Sequence, residues 1–593
     1  MEREKLMVAI DFGTTYSGIA FCHSNQKELN DIEVVTSWSN NGVAPKVPTE
    51  IRYVPGRDPR WGAEASVACE RRQTANSAVI YNRFKLLLDV RGGSGLYRDG
   101  SSSSSYINET DDKIRLPAGK SPINIATDYL RLLYDELMGK ILRRRLPETL
   151  DITPIHFIFT VPAIWGHQAQ QATKMAAKLA GFCSRKPDTF SLVSEPEAAA
   201  MYVLKAMHAA NFSRVSTQAM PKLRTGDTFV VCDAGGGTVD LISYEVEEVQ
   251  PSFKLKEAAV GTGAKCGSSY IDQAFLELLR RKIGPDFDDE QIWNKKDIGR
   301  GSNLMKTFDL IKRSFGQTTN DVWFIELPVE VANDEENGIY DNELEFTVEE
   351  LQELFDPVVE KIIRLVEDQI HCIHNAGQPV SAIFLVGGFG ESHYLYQSLV
   401  RWVNGNCASI PVINPRESWS AIMRGAIVRE IHPAVRSRRL RQHYGFGCNF
   451  QYDPEKHDFN NTYVSPFGGH HVKDTIKWGG HLGDDCTEKT DIVFPVCCAI
   501  DSNNARVHCK LYASKAIEAP EYRTDPGVFC IGTIWADVSN TNLAELPCAY
   551  NEHGDLVYRF DVEVKMRIAS ADVSFSIWRG VRRIGNANFT HET

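Results

Sequence analysis

Two stretches of the chain repeat one pattern of apolar and polar positions. Met7 to Phe21 reads M-V-A-I-D-F-G-T-T-Y-S-G-I-A-F, and Val230 to Tyr244 reads V-V-C-D-A-G-G-G-T-V-D-L-I-S-Y. Each starts as an apolar run ending in an aspartate, turns through glycine and threonine, and resumes with alternation, so each predicts a β-hairpin. Gly235, Gly236 and Gly237 are expected to turn with φ > 0. A tip bare of side chains lets backbone N–H groups approach an anion closely. Phosphate is the natural candidate, because Thr238 adds a hydroxyl. Asp233 and Asp240 serve a phosphate only through a cation, for which Mg²⁺ with retained waters is expected. Taken singly, such a turn also reads as a tight structural hairpin. Its recurrence about two hundred residues apart predicts a duplicated α/β domain in which Asp11, Gly13, Thr14 and Thr15 form the matching clamp.

The remaining pattern supplies the elements around these hairpins. Strands are predicted at Val47 to Val54, Ile155 to Trp165 and Ser381 to Val386, and helices at Glu64 to Tyr81, Ile123 to Arg145 and His167 to Gly181. Thr347 and Glu350 form a capping box ahead of a helix whose apolar positions run through Leu351, Leu354, Phe355, Val358, Ile362 and Val366. Gly387 and Gly388 close a strand at the point where backbone can pass beneath a nucleotide. Arg91 to Asp112, with five consecutive serines, reads as a surface loop without chemistry.

Composition narrows the classes. At 593 residues the chain is long enough for several domains, and 43% hydrophobic with 24% charged residues reads as soluble and globular. A net charge of -12 argues against nucleic acid as a partner. No apolar run of membrane-spanning or signal-peptide length is present, so a cytoplasmic protein with no membrane partner is expected. Fourteen cysteines lack a C-x-x-C pair, which favours free thiols over zinc or disulfides, and His470 and His471 have no spaced partner for a metal.

At the two hairpins the sequence resembles the actin-like ATPases, and T-T-Y-S-G points among them to the seventy-kilodalton heat-shock chaperones; the altered linker and a tail without a helical lid resemble, within these, the divergent member-twelve branch. Further segments carry the likeness: N-R-F-K-L-L-L-D, T-V-P-A with Q-A-T-K, S-E-P-E-A-A-A, and F-D-L-I-K-R-S-F-G. The resemblance implies a duplicated actin-like (ribonuclease H-like) two-lobed α/β domain over residues 1–430, its lobes about 1–225 and 226–430. It further implies ATP or ADP with Mg²⁺ as cofactors. Asp11, Lys85, Glu195, Asp233 and Thr238 would surround the transferring phosphate, with Asp11, Glu195, Asp233 and Asp240 holding the metal mostly through water. Gly13, Thr14, Thr15, Tyr16, Gly235, Gly236, Gly237, Asp309, Lys312, Arg313, Gly316, Gly387 and Gly388 would bind the nucleotide. Read without the family, Lys85 is a solvated helix end, Glu195-Pro196 a helix start with proline at its first turn, and Lys312 and Arg313 a solvated helix face. Departures are Gln170 where the family has a relaying arginine, Gly316 for a serine, Phe389 and Glu391 beyond the glycine pair, and Trp419 for an aspartate.

Past Ile431 the composition shifts. Arg436, Arg438, Arg439 and Arg441 make residues 431–442 a basic linker in place of the chaperones' acidic, leucine-rich one. Val507 to Ala513, Val528 to Val538, Leu556 to Ile568 and Val573 to Trp578 alternate as strands, and their order resembles the family's peptide-clamping β-sandwich, expected over 443–593 without a helical lid. An unfolded or extended peptide client and co-chaperones are the implied partners, bound through strand addition in the client's case. The expected activity is weak ATP hydrolysis by positioning and electrostatics. The alternatives are a nucleotide-gated scaffold with little hydrolysis and a small-molecule kinase of the same fold.

Overall fold

The computed structural model describes residues 4–39, 42–54, 56–67, 80–89, 116–207, 222–250, 252–289, 292–293, 295–299, 301–317, 322–407, 410–501, 506–538 and 541–586. The Arg91 to Asp112 loop and most of the helix expected at Glu64 to Tyr81 lie outside these residues. Of that helix only Ala63–Val67 is described, and Tyr81 belongs instead to a short strand, Ile80–Asn82, paired with Glu50–Arg52. The chain divides into two compact units, the first ending at Val435 and the second starting at Arg436.

The first unit holds two mixed sheets with the same order and directions. In one, Thr189–Ser194, Ile155–Val161 and Leu6–Phe12 run parallel, and Tyr16–His23 and Glu33–Val34 follow antiparallel. In the other, Val412–Ile413, Val380–Val386 and Thr228–Ala234 run parallel, and Val239–Glu248 and Lys254–Ala264 follow antiparallel. The central strands are buried on both faces, which explains why Leu6–Phe12, Ile155–Val161 and Thr228–Ala234 read as continuous apolar runs rather than alternations. The helices Glu195–Ala206 and Ala421–Ile431 pack between the sheets' cores at very close range. A methyl group on Gly425 would lie 1.8 Å from the Ala198 carbonyl oxygen, so only glycine fits there. Thr347 and Glu350 do form a capping box, at the start of Val348–Asn375.

The second unit is antiparallel. Its long sheet runs from Thr462–Val464 through His470–Gly480, His443–Gln451, Arg506–Ser514, Val528–Asp537, Arg582–Asn586, Asp572–Arg579 and Leu556–Ala569 to Ile492–Asp501. The sheet folds over one core: Phe446 and Phe494, from strands that are not neighbours, meet with ring centroids 4.6 Å apart. The stretch expected as a basic linker holds the strand Val435–Arg439. Arg438 is buried and ion-paired to Glu488 at 3.0 Å.

Candidate functional site

The two hairpins of the first unit bring their tips together. Register places Asp11 opposite Gly18 in one and Asp233 opposite Asp240 in the other, with each aspartate near the end of its strand. The glycines of the second tip do not turn with positive φ, contrary to the expectation from their sequence. They are needed for close approach: a methyl on Gly236 would lie 2.1 Å from Thr15 Oγ1, and one on Gly237 would lie 2.6 Å from Thr14 Oγ1. Gly387 does adopt φ 87°, and a methyl there would lie 2.4 Å from Asp233 Oδ1.

Each tip is fixed from outside. The N–H groups of Gly267, Ser268 and Ser269 donate to the carbonyls of Gly237, Gly235 and Gly236 at 3.2, 3.1 and 2.9 Å. On the first tip, Thr49 N–H donates to the Thr15 carbonyl at 2.9 Å and Thr49 Oγ1 to the Gly13 carbonyl at 2.8 Å. A cleft of about 600 Å³ opens over both tips. Of the residues singled out in the sequence it is lined by Asp11, Gly13, Thr14, Thr15, Tyr16, Lys85, Glu195, Asp233, Gly235, Gly236, Gly237, Thr238, Asp309, Lys312, Arg313, Gly387 and Gly388. Asp240 and Gly316 are not among its walls. Asp240 is buried behind them and accepts from the Ile164 N–H at 3.0 Å, while Gly316 turns with φ 82° against the Tyr394 backbone.

Charge is concentrated at the cleft floor. Lys85, 1% exposed, donates to Glu195 Oε1 at 2.7 Å and lies over the Phe12 and Trp165 rings. Lys46 donates to Asp11 Oδ2 at 2.5 Å, and Thr160 Oγ1 to Asp11 Oδ1 at 3.3 Å. Burial pushes Glu195 up to about 7 against the pull of Lys85, with Asp11 and Asp240 adding to the rise. Asp233 is raised well above the usual carboxylate range, first by burial and then by Glu195, Asp240 and Asp11, with Lys46 opposing. Carboxylates that raise one another's proton affinity call for cationic company. Among the described residues no three carboxylate, cysteine or histidine groups converge to ligate an ion directly. The donor set therefore fits a hydrated divalent cation beside polyphosphate, and the side-chain-free tip fits the phosphate itself.

The far end of the cleft is aromatic and basic. Tyr16 and Trp419 meet edge to face at 5.5 Å, and the Arg313 guanidinium lies 5.3 Å from the Trp419 ring and 6.0 Å from that of Tyr16. Asp309 accepts from Arg313 Nε at 2.7 Å and pairs with Lys312, which also pairs with Asp272. Burial works against the charge of Asp309, but these two cations outweigh it and hold its carboxyl below the usual range. Glu391 accepts from the Trp419 N–H at 3.2 Å. Gln170 is turned inward, donating to the Trp165 carbonyl at 3.1 Å.

Sequence reasoning missed Lys46, Asp272 and Lys306, all of which line the cleft. Lys46 stands 35 positions from the aspartate it meets, in V-A-P-K-V-P-T, and nothing in that local pattern announces a buried charge.

Residues 136–404 match the family model described as Hsp70 protein. Along 97% of its length the chain is 24% identical to Heat shock 70 kDa protein 12A of Homo sapiens, covering 91% of that protein. It is 25% identical to Heat shock 70 kDa protein 12B of Homo sapiens, over 96% of this chain and 88% of the relative. A Chaperone protein HscA homolog of Cupriavidus necator is 29% identical over 46% of this chain and 37% of its own length. No helix among the described residues is long and apolar enough to cross a membrane. The Hsp70 family model thus matches the middle of a chain that is similar along nearly its whole length to the 12A and 12B heat-shock proteins.

Proposed function

We propose that this is a chaperone-like protein that binds ATP and ADP with Mg²⁺ in the cleft of its first unit and hydrolyses ATP slowly. The observation that carries the reading is the meeting of the two hairpin tips, Thr14 and Thr15 against Gly236 and Gly237, over a floor of paired carboxylates and lysines. The repeated strand order of the two sheets supports a duplicated actin-like domain with one phosphate clamp from each half. In this reading the tip N–H groups and the Thr14, Thr15 and Thr238 hydroxyls hold phosphate oxygens, and Lys85 sets its charge beside them. Asp11, Glu195 and Asp233, with Asp240 behind, would hold the metal's water shell. Bound Mg²⁺ would supply the positive charge that lets phosphate and carboxylate share the space. Trp419, Tyr16 and Arg313 offer flat faces for the base.

The second unit is read as a β-sandwich that takes extended peptide. Its outermost strand, Thr462–Val464, leaves Val464 62% exposed, with Phe459 beside it at 55%. An edge of this kind offers unpaired backbone to an added strand.

A single-turnover assay on the intact chain, Asp11→Asn and Lys85→Ala tests the hydrolytic part. Cleavage lost in both variants is expected, and unchanged cleavage in both refutes the assignment. The second reading, a nucleotide-gated scaffold, is favoured by Glu195 engaging Lys85 and by Gln170 turning inward to the Trp165 carbonyl. Tight ADP binding with negligible turnover would select it.

A further inference from the structure

The floor of the cleft carries a cation that the sequence pattern did not announce. Lys46 is 7% exposed, and its Nζ lies 2.5 Å from Asp11 Oδ2, itself on a residue 4% exposed. Its stem is packed in place: a methyl on Gly18 would lie 2.9 Å from Lys46 Cγ, so glycine at that position makes room for the lysine. Asp233, at the end of the opposite hairpin's strand, also feels its charge. An ammonium in this position pairs with the strand-end carboxylate of the first hairpin from inside the cleft. Together with Lys85 on Glu195 it supplies two fixed positive charges to a floor where no three carboxylates converge on a metal among the described residues.

We propose that Lys46 is a built-in counter-cation of this cleft, doing part of the neutralising that a divalent metal does for a bound polyphosphate, so that nucleotide binding depends little on Mg²⁺. The inference rests on the nucleotide reading above and goes beyond it. Two like-charged partners, carboxylate floor and phosphate, repel in a water-poor cleft, and the free energy of that repulsion falls on whichever cation is present. A tethered ammonium is there at no cost of association. Mg²⁺ then has less left to neutralise, and its removal should weaken binding less than in a cleft of carboxylates alone.

The test is calorimetric titration of the full-length protein with ATP and with ADP, in Mg²⁺ and again with EDTA. For the wild type the two affinities are expected to agree within about threefold, whereas Lys46→Met, which keeps the packed stem, should lose about tenfold or more on adding EDTA. Lys46→Arg, which keeps the charge, should behave like the wild type. A wild-type ratio beyond that threefold limit overturns the proposal even if no variant folds, and so does an equal ratio in wild type and Lys46→Met. Wild-type protein that binds no nucleotide in either buffer refutes the nucleotide reading itself, a failure distinct from that of the counter-cation.

Discussion

The two hairpins sit at equivalent places in their sheets, yet they bring different things to the same cleft. The first tip carries side chains, Thr14 and Thr15, and is anchored by the buried hydroxyl of Thr49. The second is bare backbone, anchored by the amides of Gly267, Ser268 and Ser269. Their aspartates differ in the same sense. Asp11 has an ammonium at hydrogen-bond distance, while Asp233 is surrounded by carboxylates and holds its proton well above the usual range. Symmetry of topology therefore does not give symmetry of chemistry. One half offers groups that can donate and a neutralised acid, and the other offers room and an acid in need of a cation.

Four substitutions probe that division, in order of expected size. Asp11→Asn strands the Lys46 ammonium in a buried setting and should cost about 3 kcal/mol of stability, read by denaturant unfolding. Gly236→Ala drives a methyl into Thr15 and should cost about 2 kcal/mol. Adding Thr15→Ala should recover part of that loss, because the two residues occupy one space; strict additivity of the two changes would break the claim that the tips interlock. Thr49→Val leaves the Gly13 carbonyl without its donor and should cost about 1.5 kcal/mol, with faster amide exchange at the first tip and none at the second.

Asp233→Asn should do the opposite of Asp11→Asn and stabilise the nucleotide-free protein by about 1 kcal/mol at neutral pH. The sign follows from the raised proton affinity. A carboxyl whose folded pKa lies above its ordinary 3.8 supports the fold at pH values below that figure and withdraws support as the pH rises through the elevated value. The asparagine should therefore flatten the decline of stability between mildly acidic and neutral pH. A steeper decline in the variant would contradict it.

The hairpins were legible because their signal is local: strand, aspartate, glycine turn and strand lie within fifteen residues. Lys85 and Glu195 were reached through family likeness alone, since they stand 110 positions apart and each has an ordinary reading as a helix end. The expectation of positive φ at Gly235 to Gly237 failed for a reason that no single-chain pattern contains. Those glycines answer to Thr14 and Thr15, which the chain places more than two hundred positions away. Lys46 escaped for the same reason, as its role is set by an acid on another strand. The strand at Ile80–Asn82 was hidden because its partner, Glu50–Arg52, is remote, and pairing overrode the apparent helical pattern.

The central claim is that both tips grip one nucleotide. Amide hydrogen exchange on the full-length protein, with and without ATP and Mg²⁺, tests it most directly. The account predicts that the amides of Gly13 to Tyr16 and of Gly235 to Thr238 slow together on adding nucleotide. Slowing at one tip only, or at neither while nucleotide is bound, would contradict it.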